Sequence, residues 1–129
     1  MRPVSLARGV VLLVSAYALV GCGASPRDEV QAKVEQFAHA TAARDSATLC
    51  QEVLAPDLVT HLTDAGLSCQ QAMRIFVDSV SKPTLTVSRI TVKGASASVV
   101  VLTAASGQPT SLESIQLIDT KHGWRLDSL

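Results

Sequence analysis

Three cysteines, three histidines and eleven acids are the side chains with reactive chemistry to offer here. A thiolate can act as a nucleophile or a soft metal ligand. Cys22, Cys50 and Cys69 are nowhere spaced as C-x-x-C, and no four-ligand set with zinc spacing exists. No metal and no cofactor is expected. An odd cysteine count ordinarily points to a free thiol or an intermolecular bridge. Acid–base work needs His, Asp, Glu or Tyr side chains brought together on one surface. His39 and His61 have polar helical neighbours, and His122 lies in a Lys-His-Gly turn. Asp45 stands where a helix should begin, and Asp127 lies on the polar phase of the last strand. Each has an ordinary structural account, and spacing alone places no two of them together. Ser98, Thr103, Ser111 and Ser114 form no nucleophile elbow and no triad order. No catalytic residue is assigned.

The cysteine nearest the N-terminus sits in a different context. Met1 to Gly9 carries Arg2 and Arg8 without an acid, and Val10 to Val20 is an almost unbroken apolar run. A membrane-spanning helix needs about 20 apolar residues, so this run is too short for one. A positive start followed by a short apolar core describes an export signal instead. Leu19-Val20-Gly21-Cys22 closes the run and resembles the lipobox of bacterial lipoproteins. The resemblance implies a signal peptide over 1–21 and lipid attachment at Cys22. Residues 22–25 would then form a lipidated tether, and 26–129 the folded domain. Such a protein is held to the extracytoplasmic face of the cell membrane by its acyl chains without crossing it. Lipidation would consume Cys22 and leave Cys50 and Cys69 as an even pair, expected to form a disulfide in an oxidising compartment.

Charge and size narrow the remaining classes. The full chain balances eleven basic against eleven acidic residues, and loss of Arg2 and Arg8 leaves a slight acidic excess. No Lys/Arg cluster exists, so the electrostatic footprint of nucleic-acid binding is missing. Once Tyr17 departs with the signal, the aromatics are Phe37, Phe76 and Trp124. So few large side chains make a thin core, which a covalent staple would help.

Those residues must be held by elements that the pattern locates. Ser25-Pro26-Arg27-Asp28 reads as a helix start, with Ser25 as N-cap and Pro26 first in the helix. The first helix runs to about Ala43 and buries Val30, Val34, Phe37, Ala38 and Thr41 on one stripe. Asp45 caps a second helix over Ser46 to Leu54. Pro56 opens a third, which holds Leu58, Val59 and Leu62 and closes near Gly66. Ser68 to Gln71 is a capping box for a fourth, carrying Ala72, Met73, Phe76, Val77 and Val80. Beyond Pro83 the period becomes 2. Leu85 to Lys93 slips phase near Ser88-Arg89, which predicts a bulge. Ala97 to Thr103, Leu112 to Ile118 and Trp124 to Ser128 follow after short reversals, giving an antiparallel meander. Helices first and strands after predict an α+β domain with the helices on one sheet face.

This order resembles the small NTF2-like (SnoaL-like) superfamily, in particular its bacterial surface lipoproteins. The break Ala43-Arg44-Asp45, the strand–turn–strand from Val92 to Val101 and the closing His122-Gly-Trp-Arg-Leu-Asp127 carry the likeness, which covers Pro26 to Leu129. The family's short strand before its last helix is not evident between Leu54 and Leu67. The resemblance implies a cone: a curved four-stranded antiparallel sheet wrapped around the long helix, with an apolar pocket at the open end. Fold does not select function within it.

The mature chain has no Tyr, which excludes a tyrosine oxyanion donor. Trp124 is expected to anchor the core under the first helix, with Phe37 against it or its neighbours. The expectation is a membrane-anchored surface lipoprotein whose domain binds a protein partner or an apolar small molecule, and not an enzyme. An oligomer is left open, and nucleic acid is excluded. The alternative is an NTF2-like enzyme of isomerase or dehydratase type acting on a small hydrophobic substrate. Two or more ionisable side chains pointing into the cone would favour that alternative. For the anchor, Cys22→Ser should release the protein from membranes or leave it uncleaved. Mass spectrometry showing an unmodified N-terminus at any other residue would refute lipidation.

Overall fold

The structure, a computed structural model, describes residues 23–128. The signal segment and Cys22 lie outside the described residues. Helix α1 (Pro26–Ala42) starts at Ser25, whose Oγ accepts from the Asp28 backbone N–H at 3.2 Å while the Asp28 carboxyl accepts from the Ser25 N–H. Its Val30, Val34, Phe37, Ala40 and Thr41 are buried, and Thr41 Oγ1 donates to the Phe37 carbonyl at 2.8 Å. Arg44 takes a left-handed φ of 56°, which ends α1 and turns the chain into the next element.

That next element departs from a plain helix. Asp45 caps a single α-turn, α2 (Ser46–Thr48), and a wide π-turn follows over Leu49–Val53. Leu49 and Val53 are both fully buried, and the Leu54 N–H closes the wide turn on the Leu49 carbonyl at 2.9 Å. The chain leaves it extended, so that Leu54 bridges β4 in parallel at Leu126 and the Ala55 N–H donates to the Leu126 carbonyl at 2.8 Å. That single bridge occupies the place where a short family strand is otherwise expected. Helix α3 (Pro56–Asp64) lies half-buried on the core edge. Helix α4 (Cys69–Ser79) begins with the Ser68–Gln71 capping box and buries Met73 and Val77. The Cys50 and Cys69 sulfurs are bonded, with their Cα atoms 5.9 Å apart, and join the π-turn to the start of α4.

Strands β1 (Thr84–Lys93), β2 (Ser96–Ala105), β3 (Gln108–Thr120) and β4 (Gly123–Ser128) form one antiparallel sheet in chain order. The β1–β2 register shifts between Val87 and Arg89, where the phase slip puts it. Each reversal is tight: Gly94 and Gly107 supply φ of 58° and 77°, which a side chain would resist. The inward face carries Ile90, Ala97, Val99, Val101, Ile115, Leu117, Trp124 and Leu126, all buried. Phe37 and Trp124 share this core, but the ring stacked on Phe37 is Phe76, centroids 6.1 Å apart.

The expected cone is not what the strands build. Three successive hairpins leave β1 and β4 as opposite edges that do not pair with each other. The sheet is therefore open and not strongly curled, with the helices covering one face. Closure would need β4 to turn its free side toward β1, and Leu54 already occupies that side.

Two outcomes follow from the helical half. The Cys50–Cys69 closure spans 19 residues, worth about 3 kcal/mol in the chain-entropy model. Cys50→Ala should lower stability by about that amount in a urea titration, with the released Cys69 becoming alkylatable. Asp45 is held below its ordinary 3.8, chiefly because its carboxylate accepts from the Thr48 backbone N–H at 3.0 Å and from the Thr48 hydroxyl at 2.7 Å. A depressed carboxyl stabilises the fold above its unfolded value and loses that contribution as pH falls through the folded one. Asp45→Asn keeps a capping oxygen but cannot titrate. The drop in urea midpoint between pH 7 and pH 3 should therefore be smaller in the variant than in the wild type.

Candidate functional site

The strands continue past the end of the helical cover, and the cleft lies there. Phe37, Ala38 and Thr41 from α1 and Phe76 and Val80 from α4 form one side. Leu85 of β1, the ends of β2 and β3 and the bend at Pro83 form the other. Together they enclose about 300 Å³. Alternation explains why polar groups appear at this end. On β3 the residues facing the helices are Ser111, Glu113, Ile115 and Leu117, opposite Thr103, Val101, Val99 and Ala97 of β2. Leu117 and Ile115 are buried, Glu113 is exposed and Ser111 is half-buried. The same face thus changes from core to cleft within four residues.

Glu113 is the one ionisable side chain lining the cleft among the described residues. Ser111 Oγ donates to its Oε1 at 2.8 Å, and Thr103 Oγ1 approaches the same oxygen at 3.2 Å. The two hydroxyls are 3.1 Å apart. Both therefore anchor one carboxyl oxygen, and Oε2 has no protein hydrogen bond among the described residues. A carboxyl held through one oxygen at the edge of a cleft can accept or deliver a proton through the other.

The candidates named from sequence lie elsewhere. His39, His61, His122 and Asp127 are exposed, and none lines this cleft. His39 borders a shallow groove with Glu35 between α1 and β1. Asp45 serves as the α2 cap. Ser98 and Ser114 form a hydrogen-bonded pair with Gln116 on the outer sheet face. Lys33, pushed below the usual lysine range by burial and then by Arg125, donates to the Glu52 carbonyl and does not line the cleft. Thr103 and Ser111 do belong to the site, as partners of Glu113. Sequence reading passed over Glu113, although a signal was present. In the alternation of β3 it shares the phase of Ile115 and Leu117, an inward position for an acid.

No family model and no curated protein matches the sequence. Solved structures do, two of them as follows. One is a candidate dehydratase from the NTF2-like family of Streptomyces avermitilis, with 17% identity, a TM-score of 0.54 and coverage of 78% of this chain and 89% of that one. The other is a candidate NTF2-like transpeptidase from Campylobacter jejuni, with 10% identity, a TM-score of 0.53 and coverage of 78% and 98%. Both are named as enzymes, and among the described residues the cleft holds one ionisable side chain, Glu113, one fewer than the pair set as favouring catalysis. The expectation against catalysis is corrected on those two relatives. At these identities the likeness speaks for architecture alone: residues 23–128 carry an NTF2-like fold, built here on an open sheet.

Proposed function

We propose that this chain is an NTF2-like enzyme of the isomerase or dehydratase type, moving a proton on a small hydrophobic substrate with Glu113 as its acid–base group. The observation that carries this reading is the Glu113 carboxyl, held through Oε1 by Ser111 and Thr103 at the rim of an apolar cleft. The dehydratase name borne by one solved relative supports the same class. In the step that fits, Oε2 takes a proton from the carbon beside a substrate carbonyl, and the C–H electron pair moves onto the carbonyl oxygen. Return of the proton at a different carbon completes an isomerisation. Departure of a neighbouring hydroxyl with that proton, as water, completes a dehydration. Acyl transfer of the transpeptidase kind fits less well. Among the described residues Thr103 and Ser111 have no histidine or lysine in the cleft lining to activate attack, and both are engaged with Glu113.

Proton removal can be read without knowing the natural substrate. Small apolar ketones and β-hydroxyketones incubated with the protein in D₂O should gain deuterium beside the carbonyl faster than in buffer. Glu113→Gln should lower that rate by about 10²–10⁴, the usual contribution of a positioned acid–base group. No exchange with any compound of the panel, or equal rates in the variant, would overturn the reading.

A further inference from the structure

We infer that the substrate of this cleft carries a positive charge next to its reacting carbon, so that the site selects cationic apolar ketones over neutral and anionic ones. The inference rests on the proton-transfer reading above and deepens it. Taking a proton from the carbon beside a carbonyl leaves negative charge on the carbonyl oxygen, and something must stabilise it. Among the described residues the lining contains no Lys, Arg, His or Tyr. Its side-chain donors are Thr84 and Gln108, which are uncharged, and Thr41, Thr103 and Ser111, whose hydroxyls are already engaged. Thr84 and Gln108 can give that oxygen only neutral hydrogen bonds, and a substrate with its own fixed positive charge adds the charged stabilisation that the described lining lacks, because the product of proton removal is then neutral overall.

Two further features of the walls agree with a cation. Glu113 is an acid with no basic neighbour in the lining, so its field favours a positive ligand and repels a carboxylate or phosphate. Phe76, half-buried and stacked on the buried Phe37, puts aromatic surface in the same wall, and aromatic rings attract cations while also accepting an apolar body. Acid, aromatic surface and the absence of any base point the same way.

The test uses three phenyl ketones that differ in charge. Phenacyltrimethylammonium is permanently cationic, and 3,3-dimethyl-1-phenylbutan-1-one is its neutral isostere. The anion is 3-benzoylpropanoate. Binding is followed by titration calorimetry at low salt, where exposed charges are least screened. The cation should bind about 5-fold more tightly than its isostere, as expected for an exposed ion pair assisted by aromatic contact, and the anion most weakly. Glu113→Gln should reduce the cation's advantage while leaving the neutral ketone unchanged. Gln108→Lys, at an exposed position of the lining, should reverse the order in favour of the anion. Equal binding of cation and isostere, or tightest binding of the anion by the wild type, would overturn the inference. The proton-transfer reading would survive that result if deuterium exchange on neutral ketones still depended on Glu113. Charge selection without exchange on any ketone would leave the binding preference standing and remove the catalytic reading.

Discussion

Length mismatch between the two layers is the constraint on which the site depends. Helix α1, at 17 residues, extends about 26 Å, whereas β3, at 13 residues, extends about 43 Å. One helical layer of that size cannot cover the whole inward face of such strands. Where it does cover them, Val99, Ile115 and Leu117 are dry and close-packed. Where it stops, the same strand phase presents Glu113, Ser111 and Thr103 to a cleft. No separate loop is needed, because the register of the β2–β3 hairpin alone brings the carboxyl and its two hydroxyls together.

The helical half decides how that cleft is walled. The π-turn sends Leu49 and Val53 inward together and aims Leu54 at β4, so this segment ties helices to sheet edge. The disulfide then joins Cys50, in the turn, to Cys69, the first residue of α4. Phe76 lies two turns further along α4, where it stacks on Phe37 of α1 and completes the apolar wall. A staple remote from the cleft thereby sets the position of one of its main side chains. Within the core, polar groups are almost absent. Thr41 is the buried exception, and its hydroxyl is satisfied by its own helix. Unpaired polar capacity among the described residues is found at the cleft rim, on Glu113.

Much of this was legible in the sequence, for local reasons. Caps at Ser25, Asp45 and Ser68, the prolines at 26 and 56 and the change of period after Pro83 depend on side chains within a few residues of the backbone they govern. The bulge near Ser88 showed as a slipped alternation for the same reason. What only the tertiary structure decided involves partners far apart in the chain. The π-turn leads straight into the Leu54 bridge to Leu126, a partner far along the chain that no local propensity encodes. The open sheet follows from which strand edges find partners, and the resemblance to a cone could not settle that. Glu113 shows the boundary most clearly. Its inward phase can be read from the alternation of β3, but alternation treats every inward position as core. Whether such a position is buried or faces a cleft depends on where α1 and α4 end above it, at Ala42 and Ser79, and that is fixed by packing between segments far apart in the chain.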